Sequence, residues 1–242
     1  LALKWNYVPQ LIPWFYNSLK NFNKKSMLHT AKYMHQILSL SNDAYEEIFK
    51  DIDTTNLLEK KGIIYIWTNK NLKSRTLEIK VRDDLGIEQK LLTKEEILEL
   101  EPNLNPVFDA GVIYEKAMHA RDPHGILKEI FKLFLNKGGK FIQENIIETK
   151  QIGENQTIIR SENDQYKFEK SVIASGAFSK NLTDQLGENI PLDTERGYHV
   201  HFKDMDRLIS RPVIFLDRGF GMTPMNQGLR AVGTVELGGL KN

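Results

Sequence analysis

A turn of small residues is the part of this sequence best suited to contact a nucleotide cofactor. It follows the β-branched residues Val172 and Ile173 and precedes Ser179, a residue type that caps helices. Glycine lets the backbone approach a ligand closely, and the free N–H groups at a helix start favour anions. The pattern predicts a strand, a tight turn and a helix start, although α/β proteins without a nucleotide also contain such turns. The turn consists of Ala174, Ser175, Gly176, Ala177 and Phe178.

Two histidines, His199 and His201, form a second candidate site. Residues two apart on a strand project from the same face, and imidazoles bind transition metals. A cupin-like metal site also needs a glutamate shortly after the histidine pair, and this sequence has Met205 there. A non-catalytic metal- or partner-binding module that uses this face stays open as an alternative, beside a pocket-facing histidine and an ordinary strand histidine. We assign no metal ligand.

Motifs of the common phosphate-binding and hydrolytic sites are missing from the sequence. A G-x-G-x-x-G loop brings backbone N–H groups to a pyrophosphate. The nearest string, GFGMTP from Gly219, has Pro224 in place of the third glycine. A P-loop, a serine nucleophile elbow and an H-E-x-x-H motif are also absent, so these classes of site are not predicted.

Composition limits the classes of partner. The 242 residues include 33 basic and 32 acidic side chains, giving a net charge of +1, and no cysteine. No basic cluster suggests nucleic-acid binding, and the lack of cysteine excludes disulfides, thiolate metal sites and a cysteine nucleophile. No apolar run reaches the roughly 20 residues that span a bilayer. We expect a cytoplasmic protein, in which aromatic residues such as Trp5 and Trp14 pack against a parent domain or touch a membrane peripherally.

The predicted elements that position these groups are alternating helices and strands in the first part of the chain and mainly strands after it. Apolar spacing predicts two helices between residues 24 and 60 and a strand over residues 62–68. Thr93 and Glu96 form a capping box for a helix over residues 94–100. Asp122 can cap a further helix, with Pro123 in its first turn. Strand-length runs are ENII, QTIIRS, SVIAS, ERGYHVHF, RPVIFLD, GFGMTP and LRAVGTVEL, with a β-like piece at KFIQ.

Taken in order, several motifs resemble the FAD-dependent amine oxidoreductases of the D-amino-acid oxidase superfamily, and most closely its bacterial D-amino-acid dehydrogenase branch. The series covers the chain from about Leu92 to its end, whereas the first 90 residues match only in general character. The motifs are LTKEEILELEPNL, ARDPHGILKEIF, GGKFIQEN, SVIASGAFSKNL, IPLDTERGYHVHF and MTPMNQGLRAVGTVELGG.

This resemblance implies a mixed α/β fold. A partial FAD-binding domain with a parallel central sheet would interleave with a substrate domain built on a mixed or antiparallel sheet. The helical segment, which is discontinuous, would comprise residues 1–60. The substrate domain would comprise residues 61–120 as its first part and 188–242 as its second. Part of the FAD-binding domain would comprise residues 121–187. Leu1 would lie after the family's dinucleotide loop and Asn242 before its substrate-binding arginine, so we expect an internal fragment. That arginine cannot be assigned to Arg196, Arg218 or Arg230.

The resemblance also implies site residues. Ile146 or Ile147 would lie beside the adenine end of FAD, and the turn at residues 174–178 would approach the cofactor. The family usually has tryptophan where this chain has Phe178. The strands that would frame the substrate pocket carry Tyr198, His199, Met222 and Thr223.

The implied chemistry is hydride transfer from the α-carbon of a D-amino acid or related amine to FAD. The imino acid formed would hydrolyse to a keto acid and ammonia, and a quinone or respiratory-chain component could accept the electrons. The flavin supplies this chemistry and the protein supplies orientation. A sarcosine- or glycine-oxidase-like enzyme and a hydroxy-acid dehydrogenase of the same fold remain alternatives.

Overall fold

The computed structural model describes residues 2–3, 5–68 and 72–240, except for the side chains of residues 2, 3, 6 and 72–74. Leu1 and Asn242, on which the expectations about the chain ends depend, lie outside the described residues. The helices are α1 (Val8–Asn21), α2 (Lys24–Leu38), α3 (Ser41–Phe49), α4 (Leu72–Asp84), α5 (Lys94–Leu100), α6 (Pro123–Asn136) and α7 (Ser179–Thr183). The strands are β1 (Ala2–Leu3), β2 (Leu58–Glu59), β3 (Ile63–Trp67), β4 (Lys90–Thr93), β5 (Ala110–Tyr114), β6 (His119–Ala120), β7 (Ile146–Ile152), β8 (Gln156–Ser161), β9 (Gln165–Phe168), β10 (Arg196–Lys203), β11 (Val213–Phe215), β12 (Phe220–Met225) and β13 (Gly228–Leu237).

Local capping chemistry explains where two helices begin. The Thr93 side chain accepts a hydrogen bond from the Glu96 backbone N–H, and the Glu96 carboxylate accepts one from the Thr93 N–H, which confirms the capping box of α5. At α6 the Asp122 carboxylate accepts from the Gly125 N–H at 2.9 Å, and Pro123 occupies the first turn. Both predicted helix starts are confirmed, and the mixed α/β class with them.

The chain divides into two compact units, and the larger comprises residues 8–137 and 197–235. Its main sheet has the order β13-β12-β11-β3-β5-β4, with β10 also paired to β13. β3 pairs with β11 in parallel, and the ladders of β11 with β12, β12 with β13, β3 with β5 and β4 with β5 are antiparallel. A mixed sheet therefore forms the body of this unit.

One face of that sheet is the hydrophobic core of the larger unit. Ile64 lies opposite Ile113 and Val213, so these β-branched side chains share a face. Ile97 of α5 and Phe108 pack on the same cluster and are almost fully buried. Burying side chains of this size stabilises the unit by about 1.5–3 kcal/mol each.

A buried carboxylate ties the end of α5 to the segment that enters β11. Glu101 is 2% exposed and accepts hydrogen bonds from the Ser210 backbone N–H at 2.8 Å and the Ser210 hydroxyl at 2.5 Å. The Arg211 Nε lies 3.1 Å away, and Arg211 also donates to the Lys61 carbonyl at 2.9 Å. This cluster fixes the chain just before β11.

The smaller unit comprises residues 1–7, 138–196 and 236–242. It contains the antiparallel sheet β7-β8-β9. Here β1 pairs in parallel with the last residues of β13, at Glu236 and Leu237. Arg196 forms an ion pair with Glu236 at 2.7 Å, which fixes two chain segments of this unit that are far apart in sequence.

Three local expectations in the smaller unit are wrong. Val172 and Ile173 form no strand, and Val172 is 90% exposed. The KFIQ piece, residues 140–143, is also irregular. A strand needs a ladder of backbone hydrogen bonds with a second strand, and neither segment belongs to a ladder in the part of the chain that the structure describes, so β-branched composition alone does not create one. Ser179 does not cap α7, because Phe178 holds that position and its side chain makes no capping bond.

The division into functional domains at residues 60, 120 and 187 stays a prediction. The bounds of the two compact units differ from those segments, since α6 belongs to the larger unit. None of the helices that the structure describes is long and apolar enough to cross a membrane.

Candidate functional site

The predicted cofactor turn is an exposed, irregular segment of the smaller unit. Its last three residues, Gly176–Phe178, form a 3₁₀ helix, and Phe178 is 60% exposed. Gly176 has φ +55°, a left-handed conformation that side chains rarely adopt, and no atom lies within 4 Å of a Cβ built there. Backbone at this position is therefore open to a ligand.

Ile146 and Ile147, the predicted neighbours of the adenine end, lie at the start of β7. The pairing with β8 shifts between Ile146 and Glu148, so Ile147 is the residue at the irregularity. Its carbonyl accepts a hydrogen bond from the Gln185 side chain at 3.1 Å, and the same amide accepts from the Thr149 N–H at 2.9 Å. One side chain thus satisfies two backbone groups of β7, which is an edge strand of the sheet β7-β8-β9.

A third hydrogen bond joins β7 to α7, the helix that ends just before the 3₁₀ turn Asp184–Leu186 that carries Gln185. The Thr149 hydroxyl donates to the Leu182 carbonyl in α7 at 3.0 Å, and Thr149 is 4% exposed. The structure therefore attaches α7, which directly follows the cofactor turn, to the strand that carries Ile147. Sequence reasoning selected the turn and the strand separately and missed Gln185, because its partners are backbone atoms remote in sequence.

These residues fit part of a flavin nucleotide. The turn offers exposed backbone groups of small residues, and Ile147 offers an apolar side chain that is 38% exposed, which suit a flat ring. α7 has only five residues and its N-terminus lacks a side-chain cap, so it provides no built anion site. These residues therefore suit a ring of the flavin nucleotide and contacts from protein backbone, and they offer no site for its pyrophosphate.

In the larger unit, two of the four predicted substrate residues line one cavity. Tyr198 and His199 of β10 border a space of about 310 Å³, within the size range of small-molecule sites. Met222 and Thr223 are not among its lining residues, and Met222 packs against the hydrophobic core. Neighbours on a strand point to opposite faces, so Thr223 is directed away from that core. The other lining residues are Val200, Arg218, Gly219, Phe220, Ala231, Val232, Gly233 and Thr234.

Arg218 also lines this cavity, and the sequence analysis did not predict a role for it there. Its guanidinium carbon lies 4.9 Å from the centroid of the Phe215 ring, in cation–π geometry. The sequence signal was the short LDRG turn between two strand-length runs, which predicts a loop but not the direction of the arginine.

A larger cavity of about 580 Å³ lies elsewhere in the same unit. Tyr65 and Tyr114 line it and contact each other edge to face, with ring centroids 5.4 Å apart. Burial raises the pKa of Tyr114 above its ordinary value. The cavity contains none of the predicted site residues, and its Lys116 is paired with Glu88 at 2.6 Å. The smaller cavity is therefore the better substrate candidate.

The histidine pair does not extend to a metal centre in the described part of the chain. His199 and His201 lie on β10, and both are exposed. Residues 2–3, 5–68 and 72–240 contain no group of three or more His, Cys, Asp or Glu residues arranged to hold a metal ion. The metal-binding alternative thus has no further ligands from these residues.

Comparison with known proteins identifies similar chains. The sequence profile described as DAO, FAD dependent oxidoreductase, matches residues 9–241. A D-amino-acid oxidase of Bradyrhizobium diazoefficiens is 27% identical over 242 residues, which are 100% of this chain and 58% of that protein. A D-amino acid dehydrogenase of Vibrio atlanticus is 23% identical over 246 residues, with 99% of this chain and 59% of that protein covered. This chain therefore spans somewhat over half the length of these relatives.

Among solved structures, a glycine oxidase from Geobacillus kaustophilus matches with a TM-score of 0.69 and 18% identity. The match covers 84% of this chain and 55% of that protein. Similarity at this level of identity establishes the shared fold.

Proposed function

The chain belongs to the FAD dependent oxidoreductase family whose profile matches residues 9–241, and on this premise we propose that the protein oxidises a D-amino acid or a related amine. The observation that carries the proposal is the cavity bordered by Tyr198, His199 and Arg218, which combines apolar walls with a cation. Similarity over the whole chain to proteins named D-amino-acid oxidase and D-amino acid dehydrogenase supports it.

The smaller unit holds the cofactor in this proposal. Exposed backbone at Ala174, Ser175, Gly176, Ala177 and Phe178 contacts FAD, and Ile146 and Ile147 contribute apolar surface beside its adenine end. When bound, FAD supplies the two-electron oxidation, and the resulting imino acid hydrolyses to a keto acid and ammonia. Thr149 joins β7 to α7, and Gln185 joins β7 to the 3₁₀ turn that follows α7, so that the cofactor turn and the strand present a constant surface.

The larger unit selects and orients the substrate. Tyr198 and His199 border the cavity, and the groups that they present to it fix the position of an amino acid. Positioning alone contributes up to about 7–11 kcal/mol in well-oriented reactions, so few acid–base groups are required. Thr223 is a further substrate contact in this proposal. Met222 packs on the hydrophobic core, so it supports the strand and does not contact the substrate.

A glycine- or sarcosine-oxidase-like activity is the second candidate, favoured by the fold shared with glycine oxidase. A hydroxy-acid dehydrogenase of the same fold is the third. Further parts of the proposal are a quinone or respiratory-chain electron acceptor, a cytoplasmic location and at most peripheral membrane contact. Trp5 and Trp14 are 84% and 43% exposed and would be the contact points.

Substrate specificity tests the proposal. The full-length protein is loaded with FAD and assayed for keto acid and ammonia with D-alanine, L-alanine, glycine, sarcosine and lactate, using a soluble quinone as acceptor. We expect turnover of D-alanine well above that of L-alanine and lactate. Faster turnover of glycine or sarcosine than of D-alanine would support the glycine- or sarcosine-oxidase-like activity. Turnover of lactate alone would support the hydroxy-acid dehydrogenase.

A further inference from the structure

The cavity of about 580 Å³ in the larger unit is separate from the proposed substrate cavity, and their described lining residues do not overlap. We propose that it binds a planar aromatic ring that carries carbonyl or carboxylate oxygens. Its volume is within the range of small-molecule sites. The inference goes beyond the proposed function, because it assigns a second ligand to this chain and needs no step of amino-acid oxidation.

Aromatic and apolar side chains form the walls of this cavity. The Tyr65 and Tyr114 rings meet at an interplanar angle of 86°, so the pair combines a ring face with a ring edge. Ile63, Ile87 and Met118 add apolar surface, and a thioether packs well on aromatic rings. Aromatic rings attract one another in stacked and edge-to-face arrangements. A flat ring therefore suits these walls better than a saturated ring of the same size.

The polar groups beside the cavity supply more hydrogen-bond donors than acceptors. The guanidinium carbon of Arg82 lies 5.8 Å from the centroid of the Tyr114 ring, and the ion pair of Arg82 with Glu78 at 3.7 Å is longer than a hydrogen bond. Across residues 2–3, 5–68 and 72–240, neither the Arg82 guanidinium nor the Tyr65 hydroxyl forms a hydrogen bond. Glu78 accepts from Arg75 at 2.9 and 3.0 Å. A ligand here must therefore bring its own acceptor oxygens.

A recess of about 10 Å³ shares Tyr65, Arg82 and Tyr114 with the cavity. Trp67 and Arg75 also line it, and in the described part of the chain the Trp67 Nε1 and Arg75 Nε atoms are buried without a hydrogen-bond partner. Leaving a buried donor unpaired costs free energy. A space of that size holds one oxygen atom of a ligand or of a water. The recess therefore adds to the surplus of donors.

Hydrogen bonds hold the walls in place before a ligand arrives. The Tyr114 hydroxyl donates to the Gln89 side chain at 3.4 Å. Gln89 in turn donates to the Ile79 carbonyl at 2.8 Å and to the Asp83 carboxylate at 2.7 Å. These bonds join β5 to α4, the helix that carries Arg82. The ring and the cation are thus fixed relative to each other.

The charges beside the cavity limit the charge of the ligand. Lys116 and Glu88 pair with each other at 2.6 Å, and Arg82 has the Glu78 carboxylate at 3.7 Å. No surplus of cations meets a polyphosphate, so a ligand with at most one negative charge fits best. A quinone, which is neutral, and an aromatic carboxylate, which has one charge, both carry the required ring and oxygens. A quinone bound here would be the electron acceptor that the proposed function includes.

Calorimetry with the FAD-loaded full-length protein separates these two sources without turnover. The probes are menadione, which is a naphthoquinone, naphthoate, which is an aromatic anion, and decalone, a saturated ketone with the same two-ring skeleton. The variants are Arg82→Met and Tyr65→Leu, and Tyr198→Leu alters the substrate cavity instead. Arg207→Met is the matched control, because Arg207 is exposed and lines neither cavity. Thermal melting of each variant shows whether it is folded.

Loss of a hydrogen bond to a charged group weakens binding by about 10- to 100-fold, and loss of a ring contact by about 2- to 10-fold. We expect the first loss in Arg82→Met and the second in Tyr65→Leu, with no change in Arg207→Met. Decalone should bind far more weakly than the aromatic probes. Tighter binding of menadione assigns a quinone, and tighter binding of naphthoate assigns an aromatic acid.

Three results overturn the inference. They are no binding of either aromatic probe, decalone binding as tightly as menadione, and unchanged binding in the folded Arg82→Met and Tyr65→Leu variants. Weaker binding in Tyr198→Leu alone would place the probe in the substrate cavity and overturn it as well. If a probe binds through Arg82 while no amino acid is oxidised, the proposed function fails and this inference stands.

Discussion

Replacing Glu101 should destabilise the larger unit more than any change of an exposed glutamate. Glu101→Ala removes the acceptor for the Ser210 N–H, the Ser210 hydroxyl and the Arg211 Nε at once. Those donors belong to the segment that enters β11, so their loss loosens the strand that leads to Phe215 and Arg218. Glu101→Gln keeps the shape and one oxygen acceptor but removes the charge.

The size of the effect follows from burial. Breaking a buried ion pair by removing one partner costs about 3–5 kcal/mol. Arg211 is 17% exposed and keeps its bond to the Lys61 carbonyl, so part of its charge stays solvated. We therefore expect Glu101→Ala to lower the free energy of unfolding by about 3 kcal/mol and Glu101→Gln by about 1–2 kcal/mol.

Urea unfolding followed by circular dichroism measures this change. With a denaturant slope of about 2 kcal/mol/M, a loss of 3 kcal/mol moves the midpoint by roughly 1.5 M. Glu99, an exposed residue of the same helix, supplies the control variants Glu99→Ala and Glu99→Gln. Equal midpoint shifts in Glu101→Ala and Glu99→Ala would show that the buried contacts of Glu101 do not stabilise the larger unit.

Two further predictions concern other parts of the chain. Burial lowers the pKa of His119 from its ordinary value of 6.5, so the unfolded chain takes up a proton that the folded one resists, and stability should fall as the pH drops below about 6.5. Urea unfolding at about pH 7.5 and pH 5.5 checks this, and an equal decline in His119→Gln would contradict it. Gln185→Ala should lower unfolding free energy by about 1–2 kcal/mol and speed hydrogen exchange of the Thr149 N–H. Unchanged exchange, or the same loss in the exposed control Gln165→Ala, would contradict it.

Sequence alone predicts the elements whose signals are local. The capping box at Thr93, the Asp122 and Pro123 start of α6 and the β-branched run of β3 each involve residues adjacent in the chain, and all three appear in the structure. The strand expected at Val172 and Ile173 fails because a ladder requires a neighbour that composition cannot supply.

The residues of the candidate site also differ in whether their signals are local in the sequence. Tyr198 and His199 could be selected from the resemblance, since they belong to a motif. Arg218 and Gln185 could not, because their importance comes from partners and spaces formed only after folding, such as the Phe215 ring and the irregularity at Ile147. Sequence pattern selected candidate segments and not the polar side chains that the fold places beside them.

We propose above that the full-length protein is a flavoenzyme that takes its electrons from a D-amino acid. Mixing the FAD-loaded full-length protein with D-alanine in the absence of oxygen and of any added acceptor tests it most directly. We expect the visible absorbance of the bound flavin to disappear with D-alanine, to persist with L-alanine, and to return after D-alanine when a quinone is added. Persistence of the absorbance with D-alanine and with other D-amino acids would show that D-amino acids do not reduce the flavin of this protein.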